Sequence, residues 1–200
     1  YQKGLLRKRH KISDDDKIIL FLGRIHYLKL TPVFIEAFNG LSDKYKNLRL
    51  VIVGRDDGYL DEVRKMLKEK EDRYIFVGPL YEKEKISAYI DADVFCLAPS
   101  HYEETSTAAL ESLACGTPVV ITEQCEIPGL DNYGAGLTVK YNVNELYNAL
   151  EKVLYHKSLG IDVSKKAKMF IKKNHDWEVV IDKVEKLIVE SVGNNRMQEG

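Results

Sequence analysis

No apolar run in this chain approaches the ~18 residues that a membrane-crossing helix needs. Disulfide and zinc frameworks are also missing: the only cysteines are Cys96, Cys115 and Cys125, and none forms a CxxC pair. An odd number of thiols, two of them inside apolar runs, reads as reduced, buried side chains of a cytosolic protein. The chain lacks a dominant charge. Its 30 basic and 31 acidic residues leave a net charge of −1, so nothing global points to nucleic acid. The histidines (His10, His26, His101, His156 and His175) are too scattered to suggest a metal site. There is no GxxxxGK[ST], which excludes P-loop chemistry, and no GxGxxG after the first strand, which disfavours a dinucleotide enzyme. A GxSxG elbow is absent too, and we find no internal repeat and no low-complexity linker.

What is present suits one ordinary domain. A chain of 200 residues can bury about 70% of its unfolded surface and needs no disulfide or metal to fold. Short apolar runs alternate with helical patterns. "KIILFLG" (17–23), "LRLVIVG" (48–54), "YIFVG" (74–78), "DVFCLAP" (93–99), "TPVVIT" (117–122) and "GLTVK" (136–140) read as strands. Helices are expected in "LTPVFIEAFNGL", with Thr31 as N-cap and Pro32 at the first position, and over 59–71, 82–92 and 106–116. Three more follow over 143–157, about 162–173 and 177–192. "HDW" (175–177) reads as a helix cap followed by a packing tryptophan.

The strands are continuously apolar rather than alternating. That is the signature of a parallel sheet covered on both faces, so the fold class is α/β, doubly wound and mainly parallel. Ligands in such sheets bind beyond the carboxyl ends of the strands. The expected division is a linker over 1–16, a Rossmann-like domain over 17–192 and a frayed tail over 193–200. The start, "YQKGLLRKRHK", is basic, but its apolar part is too short for a signal peptide. It begins with Tyr1 rather than Met, as a piece of a longer protein would.

Two constellations carry chemistry. In "GRIHYLK" (23–29), Gly23 ends a strand and lets backbone approach a ligand, while Arg24 and Lys29 sit on the ligand-side loop. Arg grips phosphate with two donors and Lys acts as a point charge, so the pair suits a diphosphate. Two solvated surface charges would read the same way. In "APSHYEETSTAALESLACG" (98–116) a loop enters a helix near Thr105 or Ser106. Free amides and the helix dipole make that start an anion site, to which Ser106 and Thr107 add hydroxyls. Glu111 lies five residues on, roughly 7 Å along the axis, where a carboxylate could accept from both hydroxyls of a ribose. An exposed position on a helix is the alternative. Glu103 competes with Glu104, and only its spacing to Glu111 separates them. "GRDDG" (54–58) resembles a nucleotide-edge loop by position alone.

Taken in order, "FLGRIHYLK", "LVIVG", "FVGPL", "AYIDADVFCLAPS", "EETSTAALES" and "ACGTPVVIT" resemble the C-terminal, nucleotide-sugar-binding domain of GT-B glycosyltransferases of family four, group one. The resemblance covers about residues 17–190. Its most specific motif is two glutamates separated by seven residues, matched by Glu103 and Glu111.

The resemblance implies a retaining, metal-independent transfer from a nucleoside-diphosphate sugar. Glu103 would contact the transferred sugar, and Arg24 and Lys29 the diphosphate. Glu111 would hold the ribose. Thr105, Ser106 and Thr107 would contact sugar and phosphate, and Gly78, Pro79 and Leu80 would run past the base. No cofactor or metal is implied. Partners would be the nucleotide-sugar donor and a missing N-terminal acceptor domain, through which any membrane contact would come; alone, this half would be inactive. Two departures stand out: Lys29-Leu30 where the family usually has Lys-Gly, and Thr105-Ser106 where it has an aromatic and a glycine. A glycogen-synthase-like polymerase, a sugar-nucleotide epimerase and a non-enzymatic nucleotide-binding module remain as alternatives.

Overall fold

The computed structural model describes residues 3–67, 70–103, 106–156 and 160–198. Six strands form one parallel sheet: β1 (Lys17–Leu22), β2 (Leu48–Val53), β3 (Tyr74–Gly78), β4 (Val94–Leu97), β5 (Val119–Thr122) and β6 (Gly136–Val139). Their order is β3-β2-β1-β4-β5-β6, and all are parallel. Between them lie α2 (Pro32–Lys44), α3 (Leu60–Leu67), α4 (Glu82–Asp91), α5 (Thr107–Cys115) and the short α6 (Leu130–Tyr133). The chain closes with α7 (Val143–Tyr155), α8 (Gly160–Asn174) and α9 (Trp177–Gln198). Right-handed crossovers send α2 and α3 to one face, where α7 joins α2, and α4, α5 and α8 to the other. No helix among the described residues is long and apolar enough to cross a membrane.

The doubly wound parallel sheet read from the sequence is the observed fold. Burial explains why its strands look as they do. Ile18, Ile19, Leu20 and Phe21 of β1 are fully buried, because helices cover both faces of the central strand. β3, at the edge, is partly buried along its whole length.

Several local expectations change. Within the 1–16 stretch, expected as a linker or interdomain segment, Leu5–His10 form α1, which packs on α4. Six residues are too few to hold a helix alone. The Asp91 carboxylate stabilises this one by accepting from the Gly4, Leu6 and Arg7 amides. The buried Arg7 guanidinium then donates to the carbonyls of Ser13, Asp16 and Asp91 and to Asp93 at 3.1 Å. Thr31 occupies the N-cap of α2 without capping it; its hydroxyl donates to the Ala98 carbonyl at 2.8 Å instead. Trp177 does not pack. It is 79% exposed at the start of α9, a helix that packs against α8. The tail expected to fray continues the α9 backbone to Gln198.

The carboxyl ends of the strands are tied to one another by backbone bonds. Gly23 N donates to Val53 O at 2.9 Å, Gly54 N to Gly78 O at 3.0 Å and Ile25 N to Arg55 O at 2.8 Å. On the other side, Glu103 N donates to Gln124 O at 2.7 Å and Glu123 N to Val139 O at 2.9 Å. Gly54 makes the first set possible: at φ 153° a Cβ there would lie 1.7 Å from the Gly23 carbonyl oxygen. Gly54→Ala should therefore cost more than about 3 kcal/mol in urea unfolding, by backbone clash and strain together. A loss below about 1 kcal/mol would show that the two loops can separate freely.

Two histidines set a pH dependence. Burial, then Arg9, holds His10 below its ordinary value; burial, then Lys183, does the same for His175. Well above about pH 6.5 both histidines are neutral in either state. Below it the unfolded chain takes up protons that the folded chain resists, so stability falls as pH drops. The urea midpoint should decline from about pH 7.5 to about pH 5.5, and His10→Gln with His175→Gln should flatten that slope. An unaltered slope in the double variant would assign the dependence to other groups.

Candidate functional site

The strand order reverses between β1 and β4, so the loops leaving these neighbours part and open a crevice. The β1 loop runs from Gly23 to Thr31. Within it the Lys29 and Leu30 amides both donate to the His26 carbonyl, at 2.9 and 3.0 Å, making one tight turn. Leu30 is fully buried and anchors the turn in the core. A leucine at the place where the resembling family usually has glycine thus becomes a plug, and it holds Lys29 at the rim. The β4 loop is tied back across the crevice by Ser100 N, which donates to Leu28 O at 2.9 Å, and by the Thr31–Ala98 bond.

Across this seam Lys29 Nζ reaches Glu103 Oε1 at 2.8 Å. The two residues belong to separate sequence segments, 74 positions apart, and the fold joins them. Their side chains are 27% and 22% exposed, so the pair is sheltered but reachable. Arg24 is on the same loop but turns to the β2 side, where its guanidinium meets Asp57 at 3.0 Å. Arg55 also holds Asp57, at 2.9 Å. Arg55, and then Arg24, keep the Asp57 carboxyl below its usual range. Asp56 accepts from the Gly58, Tyr59 and Leu60 amides, so the "GRDDG" stretch caps α3 and anchors arginines.

α5 begins at the same crevice. Its N-cap is Ser106, whose buried hydroxyl accepts from the Ala109 amide at 3.4 Å. That hydroxyl is committed to the helix, whereas Thr107 is exposed in the first turn, where amides other than that of Ala109 have no intrahelical partner. Thr105, with Glu104, lies outside the described residues. Beneath the cap sits Cys125. Burial pushes its thiol up to about 11, with Ser106 hydrogen bonds opposing the rise and Glu103 adding to it. Thr122 Oγ1 and Gln124 Oε1, at and just beyond the end of β5, are buried without a partner among the described residues.

Glu111 is neither buried nor a bare surface charge. Its side chain is 41% exposed. Lys85 Nζ meets Oε1 at 2.7 Å and the Tyr89 hydroxyl donates to Oε2 at 2.8 Å, both from α4. Lys85 lies outside the quoted motifs and Tyr89 lies inside "AYIDADVFCLAPS" without a role of its own there; the α4–α5 packing brings both to Glu111.

Gly78 is left-handed, at φ 78°, and its carbonyl accepts from Gly54. Pro79 is exposed, while Leu80 turns toward Leu5 and Leu6 of α1. At Gly23 an added Cβ would meet Phe21 at 3.5 Å, an ordinary contact. The protein itself therefore does not require glycine there.

A cleft of about 850 Å³ opens at the opposite end of the sheet, lined by Lys3, Arg7, Lys17 and Asp93 among others. Its Asp93 is already committed, since Arg7 and Lys17 both bond it. Among the described residues, no three His, Cys, Asp or Glu side chains gather as a cation site.

Comparison with known proteins agrees with the geometry. The chain is 34% identical over 123 residues to an uncharacterized glycosyltransferase of Methanocaldococcus jannaschii, covering 60% of the chain and 31% of that protein. It is 29% identical over 184 residues to a D-inositol 3-phosphate glycosyltransferase of Corynebacterium jeikeium, covering 87% and 43%. The chain thus spans less than half the length of these relatives. Among solved structures, the C-terminal domain of a glycosyl transferase group 1 family protein from Francisella tularensis superposes with a TM-score of 0.76 at 20% identity, over 88% of this chain and 94% of that one. Anabaena HepE in complex with UDP-glucose gives 0.76 at 18% identity, over 96% and 52%. At these identities the structures establish the fold, that of one GT-B half. The model of the family described as glycosyl transferases group 1 matches residues 2–177, and the chain belongs to that family.

Proposed function

We propose that this chain is the donor-binding half of a retaining glycosyltransferase. It would take a nucleoside-diphosphate sugar and pass the sugar to an acceptor held by a preceding domain. The observation that carries this reading is the Lys29–Glu103 pair at 2.8 Å, set across the β1–β4 crevice beside the start of α5. One partner suits a phosphate and the other suits sugar hydroxyls, and both stand where open α/β sheets hold ligands. HepE, of like fold, was solved with UDP and with UDP-glucose, which supports a nucleotide sugar as the donor.

In this reading the diphosphate lies along the Gly23–Lys29 loop and the first turn of α5. Lys29, Arg24 and the α5 amides stabilise the charge that develops on the departing diphosphate, which is electrostatic catalysis needing no metal. Arg24 serves by turning from Asp57 toward the phosphates. Glu103 orients the sugar, and Glu111 accepts from the ribose diol. Gly78, Pro79 and Leu80 flank the base, with Leu80 backed by α1. Acceptor choice, and any membrane contact, belong to the preceding domain, so this half alone turns nothing over. Three unpaired thiols support a reducing, cytoplasmic setting.

Nucleotide binding tests the reading directly. UDP, GDP or ADP at about 100 times its dissociation constant should add about 2.7 kcal/mol and raise Tm by roughly 5–10 °C. No shift with any of the three would sink the donor-site reading. Gly23→Ala should leave Tm within about 2 °C of wild type while weakening nucleotide affinity at least tenfold, because only a ligand needs the space. Unchanged affinity would move the diphosphate off this loop. In the longer protein, Lys29→Met should lower kcat by about 100-fold or more. Undiminished turnover would remove Lys29 from the mechanism.

A further inference from the structure

Glu111 is held at both oxygens by α4, and the two holders differ in freedom. Lys85 and Tyr89 stand four apart, so they share one face of that helix. Lys85 is a partly exposed cation on a flexible stem. Tyr89 is fully buried, and its ring packs on Phe95 with centroids 6.2 Å apart. Its backbone carbonyl accepts from the Thr117 hydroxyl at 2.6 Å, and Ser112 Oγ donates to Thr117 O at 3.2 Å. The end of α4 is thereby tied to the end of α5. A phenylalanine would fill the Tyr89 site equally well, so the hydroxyl answers to Glu111 rather than to the core. Burial, and then the bond to Glu111, raise the phenol far above its ordinary value, which leaves it a donor at any working pH.

An ionised carboxylate only accepts, through about four lone-pair positions. Two are taken from the α4 side. The others remain for donors arriving over the half-exposed side, and a ribose diol brings two. On the reading of the preceding subsection, on which this inference rests, we propose that Tyr89 and Lys85 are positioning residues for ribose recognition. They fix the Glu111 carboxylate so that both oxygens face the 2′- and 3′-hydroxyls. Discrimination between ribose and its deoxy forms then depends on two side chains that need not touch the nucleotide.

Calorimetric titration of the 200-residue chain separates the possibilities. The probes are whichever of UDP, GDP or ADP binds wild type most tightly, and its 2′,3′-dideoxy counterpart. Wild type should prefer the ribonucleotide by at least about tenfold. Tyr89→Phe should cut that preference to within about twofold of Glu111→Gln, with Tm within about 2 °C of wild type. Adding Tyr89→Phe to Glu111→Gln should bring no further loss, because Tyr89 acts through Glu111. Lys85→Met should reduce the preference and Lys85→Arg restore most of it. A wild-type preference that survives Tyr89→Phe, or additive losses in the double variant, overturns the positioning role alone. Nucleotide binding without any ribose preference overturns the Glu111 assignment as well. Absence of nucleoside-diphosphate binding overturns the donor-site reading itself.

Discussion

β1 hydrogen-bonds to β2 on one side and to β4 on the other, and the chain reaches these neighbours by opposite routes. It goes to β2 directly and to β4 only after laying down the far edge at β3. Right-handed crossovers then put α2 beneath one half of the sheet and α4 and α5 above the other. The loops after β1 and β4 must part at the seam. Three ties draw them together: Thr31 to Ala98, Ser100 to Leu28, and Lys29 to Glu103. The first two use backbone atoms as acceptors and hold the scaffold. The third uses two charged side chains and stays reachable from solvent. Charge and access are what the proposed donor site calls for and what the two scaffold ties lack.

The parts that the sequence makes legible are those governed by local rules. Strand β1 is visible in "KIILFLG" because burial on both faces leaves no polar alternation. The end of α5 is visible in Gly116, whose left-handed conformation closes the helix with its amide bonded to Leu113 O at 2.9 Å. Glu103 and Glu111 are visible through their spacing within one short segment. What escapes depends on contacts distant in sequence. Helix α1 exists because Asp91, 85 residues from Leu6, caps it. Thr31 reads as an N-cap by position, yet the Ala98 carbonyl is the better partner once β4 lies alongside. Trp177 reads as a packing residue because tryptophan usually is one, whereas at the start of α9 it stands 79% exposed.

Leu30 and Tyr89 show how sequence variation is absorbed at such a site. Leu30 replaces a small residue that the family usually places beside the lysine. Its side chain goes inward, so the backbone turn that aims Lys29 is reinforced rather than distorted. Tyr89 is wholly buried, and only its hydroxyl reaches Glu111. Neither residue would be chosen as functional by charge or exposure, but each fixes a side chain that would be.

Charge pairing at the carboxyl end of the sheet has a consequence for what can bind there. Three cations at this end face a carboxylate from another element: Lys29 with Glu103, Arg24 with Asp57, Lys85 with Glu111. Arg24–Asp57 and Lys85–Glu111 each have an exposed member and add little stability, about 0–1 kcal/mol each, while Lys29–Glu103 is more sheltered yet still reachable. Under the proposed function, a diphosphate arriving alone takes Lys29 and leaves Glu103 without its partner. A nucleotide sugar brings hydroxyls that replace the ammonium at Glu103 while its phosphates engage Lys29. Both halves of the ion pair are then satisfied at once, and only by the intact donor. After transfer the sugar is gone, Glu103 draws Lys29 back, and the hold on the diphosphate weakens. The same 2.8 Å contact would thus favour the donor on entry and disfavour the product on exit, with no movement of the sheet.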